Sequence, residues 1–366
     1  MSAFSGAAAA EEEEEEEDDA VLHPAEADRL ATQFTSWYPL LEDVTMKSRT
    51  VPLSDAFLEY LKEDGIVLPK SSEGVFGLDQ LSDDSGDEEV VEVKEEGAGG
   101  GEEAAAVRDF PELDAQITAA MSELGGSVFP KLNWSCPLDA AWINAGSLKC
   151  QRLADVYMLL KASDRVLFDV ECMLQGTGRD KNRPECVTLV LRKWANLSPS
   201  MEFRAFVRDN VVVGICQRDC TAFYDFLLRE SEADDLAALV EAFCASRLAH
   251  RLPLSSFIAD VYVDKARRVW VVDINVFGPP TSSLLFDWHE LRPPAAAVAC
   301  PPGGSGSGSD DCGQGCEFRV VESPSGVLPS EAAQSKGPID VTLAPDFHRF
   351  MDLCKAQRGE DDGEEA

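Results

Sequence analysis

The stretch FIADVYVDKARRVWVVDINVFG, residues 257–278, decides how the chain is read. Two runs rich in valine, isoleucine and aromatics, 258–263 and 269–274, flank the polar residues 264–268, which is the signal for a β-hairpin. It carries three side chains able to bind a metal: Asp260, Asp273 and Asn275. Alternation along a strand puts Asp273 and Asn275 on one face and points Val272 and Ile274 the other way. If Asp264 pairs with Val269 around the loop 265–268, Asp260 lies opposite Asp273 on that face; a slip of one residue turns it away. Two carboxylates at cross-strand distance repel unless a cation lies between them, and hard oxygen ligands suit Mg²⁺ with phosphates completing its shell. The alternative is an edge hairpin whose acids face water.

The 366 residues leave room for one large domain or two ordinary ones. The formal charge is −35, from 32 Lys plus Arg and 67 acids. Residues 11–19 carry −9, residues 83–103 carry −9 and residues 360–365 carry −5, so the remaining −12 is spread over the foldable part. A moderately acidic body disfavours nucleic acid as a direct partner, because phosphate binding needs a basic footprint. The 11 cysteines are scattered singly without a CxxC pair, and there are only four histidines. Zinc is disfavoured, and a reducing cytoplasm is expected. With no basic-then-apolar start and no membrane-length apolar run, the expectation is a cytoplasmic protein that does not enter membranes.

Residues 1–28 form an acidic tail expected to be disordered. Next come the aromatic pair Trp37 and Tyr38, read as core, and a helix capped by Ser54, striped by Phe57, Leu58 and Leu61 and stopped by Gly65. The acidic insertion at about 71–106 is expected to be disordered and includes Ser85, whose acidic flank suits an acid-directed kinase. Helices are expected over 111–124, 153–161 and 234–248, and strands over 127–134, 187–194, 202–207 and 211–217. Residues 293–340 read as a flexible low-complexity segment and 341–366 as a short helix with an acidic tail. The domain proper then spans 29–292. The class is α+β with largely antiparallel sheets.

A nucleotide site needs cations for phosphates, a flat apolar slot for the base and acids for Mg²⁺. Lys131 sits in an otherwise apolar strand, so its ammonium is either directed to the surface or paired. Arg192 and Lys193 close an apolar strand, where Arg192 either chelates a phosphate or ends in solvent. Arg204 shares a face with Glu202, and a simple ion pair is the alternative there. The chain has no GxxxxGKS/T loop, no GxGxxG after a strand and no kinase HRD or DFG set.

The strings FTSWYP (34–39), GGSVFPKLNWSCPLDAAWI (125–143), LVLRKW (189–194), EFRAFV (202–207), QRDCTAFYD (217–225) and VWVVDINVFG (269–278) resemble the cell division cycle protein 123 family. That resemblance implies an ATP-grasp-like fold, two lobes clasping ATP and Mg²⁺. It also implies a role as an assembly chaperone that binds the gamma subunit of eukaryotic translation initiation factor 2 and promotes heterotrimer formation, without an established turnover. By motif, Lys131, Trp134 and Asp139 would lie at the nucleotide, Arg192, Lys193 and Trp194 beside the base, and Arg204 at the phosphates. Asp260, Asp273 and Asn275 would ligate Mg²⁺. The chain departs from the family's usual residues at Cys136, Val276 and Pro279, the last two beside the metal ligands. A monomer is expected. The rival reading is an ATP-grasp carboxylate-amine ligase, which needs a second set of polar groups facing a substrate; a scaffold with a decayed nucleotide site is the third.

Overall fold

The computed structural model describes residues 24–63, 65–69, 108–174, 187–279, 281–291 and 316–328. The acidic tails, Ser85 with its insertion and the expected C-terminal helix lie outside those residues. The chain divides into two compact units. The described part of the smaller unit is 48–63, 65–69, 108–174 and 187–194, and that of the larger is 24–47, 195–279, 281–291 and 316–328.

The smaller unit is built on a three-stranded antiparallel sheet in the order β1 (Ser48–Pro52), β3 (Thr188–Lys193), β2 (Val128–Lys131). Alternation sends Val51, Val128, Leu189 and Leu191 into the core. The helices that meet them are Asp55–Lys62, Pro111–Glu123 and Leu153–Lys161. The first begins where expected, its N-cap Ser54 accepting from the Phe57 amide at 3.3 Å. Phe57, Leu58 and Leu61 are its buried stripe. The second stops at Gly125 and Gly126, whose φ of 95° and 82° favour glycine. Tyr157 donates its hydroxyl to the buried Asp114 across this core. The opposite sheet face carries Ser48, Thr50, Phe129, Lys131, Val190 and Arg192, as the register requires.

The larger unit holds a five-stranded sheet in the order β7 (Val269–Asn275), β6 (Phe257–Val263), β4 (Glu202–Arg208), β5 (Val211–Gln217), β8 (Glu317–Arg319). All pairs are antiparallel except β5 with β8. The α+β class with largely antiparallel sheets is therefore as expected. β8 lies within the stretch read as low-complexity, and composition gave no sign of it. One sheet face is apolar through Phe203, Ala205, Val207, Ile215, Phe257, Ala259, Val261 and Ile274. Helices Phe34–Leu41 and Glu230–Phe243 contact β7, and the aromatic cluster is core as expected, with Phe34 and Trp37 fully buried. The helix expected over 234–248 begins at Glu230 and turns π-helical over Cys244–Leu248. No helix among the described residues is long and apolar enough to cross a membrane.

The second face of this sheet is divided. At one end Phe206, Cys216 and Ile258 pack with Phe286 and Leu291 from the segment 281–291. Gly214 leaves room for that segment: a Cβ there would lie 2.8 Å from the tip of the Phe286 ring. Arg319 fastens it, stacking 4.2 Å over Phe286, donating to the Leu285 carbonyl and pairing with both Glu290 oxygens at 2.7 Å. The other end of the face is polar, and holds the candidate site.

Candidate functional site

Cross-strand pairing aligns Arg319, Cys216, Arg204, Asp260 and Asp273 in one row over five strands. Directly paired residues point to the same side of a sheet, so all five share the divided face. Asp260 does lie opposite Asp273, though the route differs from the one the sequence suggests. The hairpin closes with Val263 opposite Val269, one residue out of the expected register, and a bulge beyond Val261↔Val271 leaves Val272 as the extra residue and restores the alignment. Asn275 is on the same face and approaches Asp260 Oδ2 to 3.5 Å through Nδ2.

Asp260 is 4% exposed and Arg204 5%. The guanidinium grips the carboxylate with two bonds, Nε to Oδ1 at 2.7 Å and Nη2 to Oδ2 at 2.8 Å. Arg218 adds Nε to Oδ2 at 3.2 Å. Burial alone would raise the Asp260 carboxyl, but Arg204 and Arg218 outweigh it and hold it down at about 2. Asp260 is thus ionised at neutral pH. The two arginines supply cationic charge that the pairing of two carboxylates demands. Arg204 also donates Nη1 to the Ser282 carbonyl at 2.6 Å, tying the polar end to the segment 281–291. Asp273 accepts from the Ile274 amide at 3.1 Å.

Glu202 stands beside this group. Burial pushes its carboxyl up to about 7, Arg218 pulls against that, and Asp260 and Asp219 add to the rise. Its folded value exceeds the ordinary 4.5. The folded state therefore holds a proton that the unfolded state releases, and stability is lost as pH rises through that interval. Glu202→Gln should remove this loss. Variant and wild type should melt alike near pH 4 and the variant should melt higher above pH 7; parallel melting curves across the range would contradict the assignment.

In the smaller unit, Lys131 and Arg192 share the sheet face opposite the core with Phe129. Both are buried, at 2% and 1% exposure, so neither ends in solvent as an isolated strand end would. Of the two readings of Lys131, the paired one applies: its charge offsets the burial that raises the Asp169 carboxyl, as do hydrogen bonds from the Ser135 amide and hydroxyl at 2.7 and 2.8 Å. Arg192 lies 5.4 Å over the Phe129 ring. Lys193 is exposed, and Trp194 is half-buried with its ring edge-on to Phe129 at 6.4 Å. Trp134 packs on the core cluster. Asp139 lies outside both sheets and binds the start of the helix Asp164–Leu174, accepting from Ser163 Oγ at 2.6 Å and the Arg165 amide at 3.1 Å.

Arg218 is the residue of this site that sequence reasoning missed. It follows β5 by one residue and keeps the alternation of Gly214 and Cys216, so period two from Arg204's partner strand could have found it. Val276, one of the departures beside the ligands, is buried.

The residue types suit a magnesium ion, two carboxylates and an amide side chain on one face with the buried carboxylate ionised, and the amide here turns its nitrogen toward Asp260. Among the described residues there is no cluster of three or more His, Cys, Asp or Glu able to hold a metal, and this set, with its two acids, falls short of that number.

Comparison with known proteins agrees with the resemblance. The D123 family model matches residues 37–344. A Xenopus tropicalis protein named translation initiation factor eIF2 assembly protein is 35% identical over 341 residues, covering 91% of this chain and 97% of its own. Cell division cycle protein 123 of Aspergillus terreus is 39% identical over 277 residues, 72% of this chain and 62% of its own. The solved structure of C-terminally truncated Cdc123 from Schizosaccharomyces pombe superposes with a TM-score of 0.61 at 30% identity, over 82% of this chain and all of that one. On this match, spanning nearly all of both sequences, the chain belongs to the D123 family, that of Cdc123.

Proposed function

We propose that this protein is an assembly factor for eukaryotic translation initiation factor 2, that it binds the gamma subunit, and that it does so as a Mg-ATP-binding protein with an ATP-grasp-like fold. The observation that carries the assembly role is the match to a relative bearing that name over 91% of this chain and 97% of the relative. The Mg-ATP part rests on the acid–acid–amide set of the five-stranded sheet. Asp260, Asp273 and Asn275 would hold the magnesium, which neutralises phosphate oxygens when bound. Arg204 fixes the Asp260 carboxylate, so that ligand is preorganised by a bidentate grip rather than free to turn. The residues of the smaller sheet enter this reading through the family resemblance alone. Nucleotide acts by linkage: it favours the state it binds better, and the partner reads that state.

The test is a pair of measurements. Mg-ATP at 100 times its dissociation constant should stabilise the wild type by about 2.7 kcal/mol. Asp273→Ala, which removes a ligand at a half-exposed position, should melt close to wild type without nucleotide and gain nothing from Mg-ATP. Copurification of the gamma subunit with the wild-type chain checks the partner; no capture, with the chain folded and nucleotide present, would remove that assignment.

A further inference from the structure

The chain contains two Ser-Pro pairs, Ser198-Pro199 and Ser323-Pro324, and no Thr-Pro pair. A second serine follows each, and the two SPS strings fold alike. In both, the carbonyl of the first serine accepts from the amide three residues on, that of Met201 at 2.9 Å and that of Gly326 at 3.0 Å. In both, its Oγ lies 3.0 Å from the Oγ of the second serine. Ser198 and Pro199 are exposed, and the half-buried Ser323 precedes an exposed Pro324. The Ser198 backbone is extended, with φ −80° and ψ 118°, as a residue before proline prefers. Both turns lie in the larger unit, at one end of its sheet. The first leads directly into β4, whose Phe203 pairs with Gln217 at the end of β5. β8 runs parallel to β5 and leaves at that same end, where the Val321 amide donates to Gln217 Oε1 at 3.1 Å, two residues before the second turn.

We propose that Ser198 and Ser323 are a pair of phosphate-acceptor sites for a proline-directed serine kinase. Proline fixes φ and has no amide hydrogen, so each pair offers a hydroxyl on a chain that asks for no hydrogen bond at the next amide. The flanks point to the same class of kinase. Residues 195–201 carry no charged side chain, and within three residues of Ser323 the charged residue is Glu322, so neither a basic nor an acidic run marks these serines. Drawing either serine into a kinase cleft breaks the turn's hydrogen bond at the surface and leaves the sheet intact. In the transfer the hydroxyl gives its proton to the kinase's base as Oγ bonds the γ-phosphorus of ATP; the bond from that phosphorus to its bridging oxygen breaks, and ADP leaves. Each phosphate adds about −1.5 to −2 of charge. Glu202 and Asp219 already stand at this end of the sheet, so the modified pair favours a basic partner surface there and repels an acidic one. The proposal stands apart from the nucleotide reading.

The experiment is incubation of the full chain with ATP, Mg²⁺ and a serine kinase of the mitogen-activated, proline-directed class, under conditions in which the kinase labels free peptides of the two sequences, followed by peptide mass mapping. Two phosphates per chain are expected, on Ser198 and Ser323. Pro199→Ala and Pro324→Ala, which keep both hydroxyls of the turn, should each lose their own site and leave the other. Ser200→Ala and Ser325→Ala should keep both sites. No phosphate at these serines in the folded chain would overturn the proposal, since the turns are then closed to the enzyme. Labelling of Pro199→Ala and Pro324→Ala at the wild-type rate would overturn it as well, and phosphate on only one of the two serines would overturn the pairing.

Discussion

Asp260→Ala should lower the stability of the protein by about 3–5 kcal/mol, the cost of breaking a buried ion pair from one side. The size follows from what is left behind. Arg204 cannot follow solvent, because its side chain is 6% exposed and its Nη1 is held by the Ser282 carbonyl. A buried guanidinium without its carboxylate bears the whole desolvation cost. At about 2–4 °C per kcal/mol for a domain of this size, the melting point should fall by well over 5 °C. The double variant Asp260→Leu with Arg204→Met should lose much less than the two single changes added together, since apolar replacement of both partners leaves nothing unpaired. Additive losses would mean the pair is not coupled. Thermal melts without nucleotide and with divalent metal chelated separate this effect from ligand binding.

Phe57→Ala should be of similar size, about 3–5 kcal/mol, in the other unit. Phe57 is fully buried and touches three rings: Phe110 edge-on at 5.0 Å, and Tyr60 and Tyr157 tilted at 5.5 Å. Truncation removes the transfer energy of the ring, the aromatic pairs and the packing between the helices Asp55–Lys62 and Leu153–Lys161. The neighbours are held from behind, Tyr157 by its bond to Asp114 and Tyr60 by its hydroxyl on the Val67 carbonyl at 2.8 Å. The cavity therefore collapses poorly. Phe57→Leu should recover much of the loss, and chemical denaturation of both variants gives the comparison; a loss below 1 kcal/mol for Ala would show that the site can refill.

Elements carried by local signals were legible in the sequence. The helix Leu153–Lys161 occurs with the bounds its apolar spacing gives, and Ser54 caps as its residue type suggests. Asp260 and Asp273 were placed together from alternation and an assumed hairpin register, Asp264 opposite Val269, which the structure does not keep. What the sequence could not show was the bulge at Val272, since no glycine or proline marks it and two errors of one residue cancel. Roles set by distant partners were equally hidden. Asp139 binds a helix start 24 residues on, at Ser163, and Lys131 faces an acid on a helix that periodicity did not mark. Arg218 was quoted within a motif yet given no role, because its meaning depends on β4 lying between β5 and β6 in the sheet.

The strand β8 has a consequence for how the chain is made. It is three residues long and is the last element of the five-stranded sheet to leave the ribosome. Until residues 317–319 are synthesised, β5 runs bare, its backbone donors and acceptors open to any extended chain nearby. Once docked, β8 is the edge of the sheet among the described residues, too short to template another strand and charged at Glu317 and Arg319 on either side of Phe318. A nascent or truncated chain ending before Cys316 would therefore be aggregation-prone in a way that the finished protein is not, which makes this small strand a guard on solubility as well as a fastening for the segment beneath Arg319.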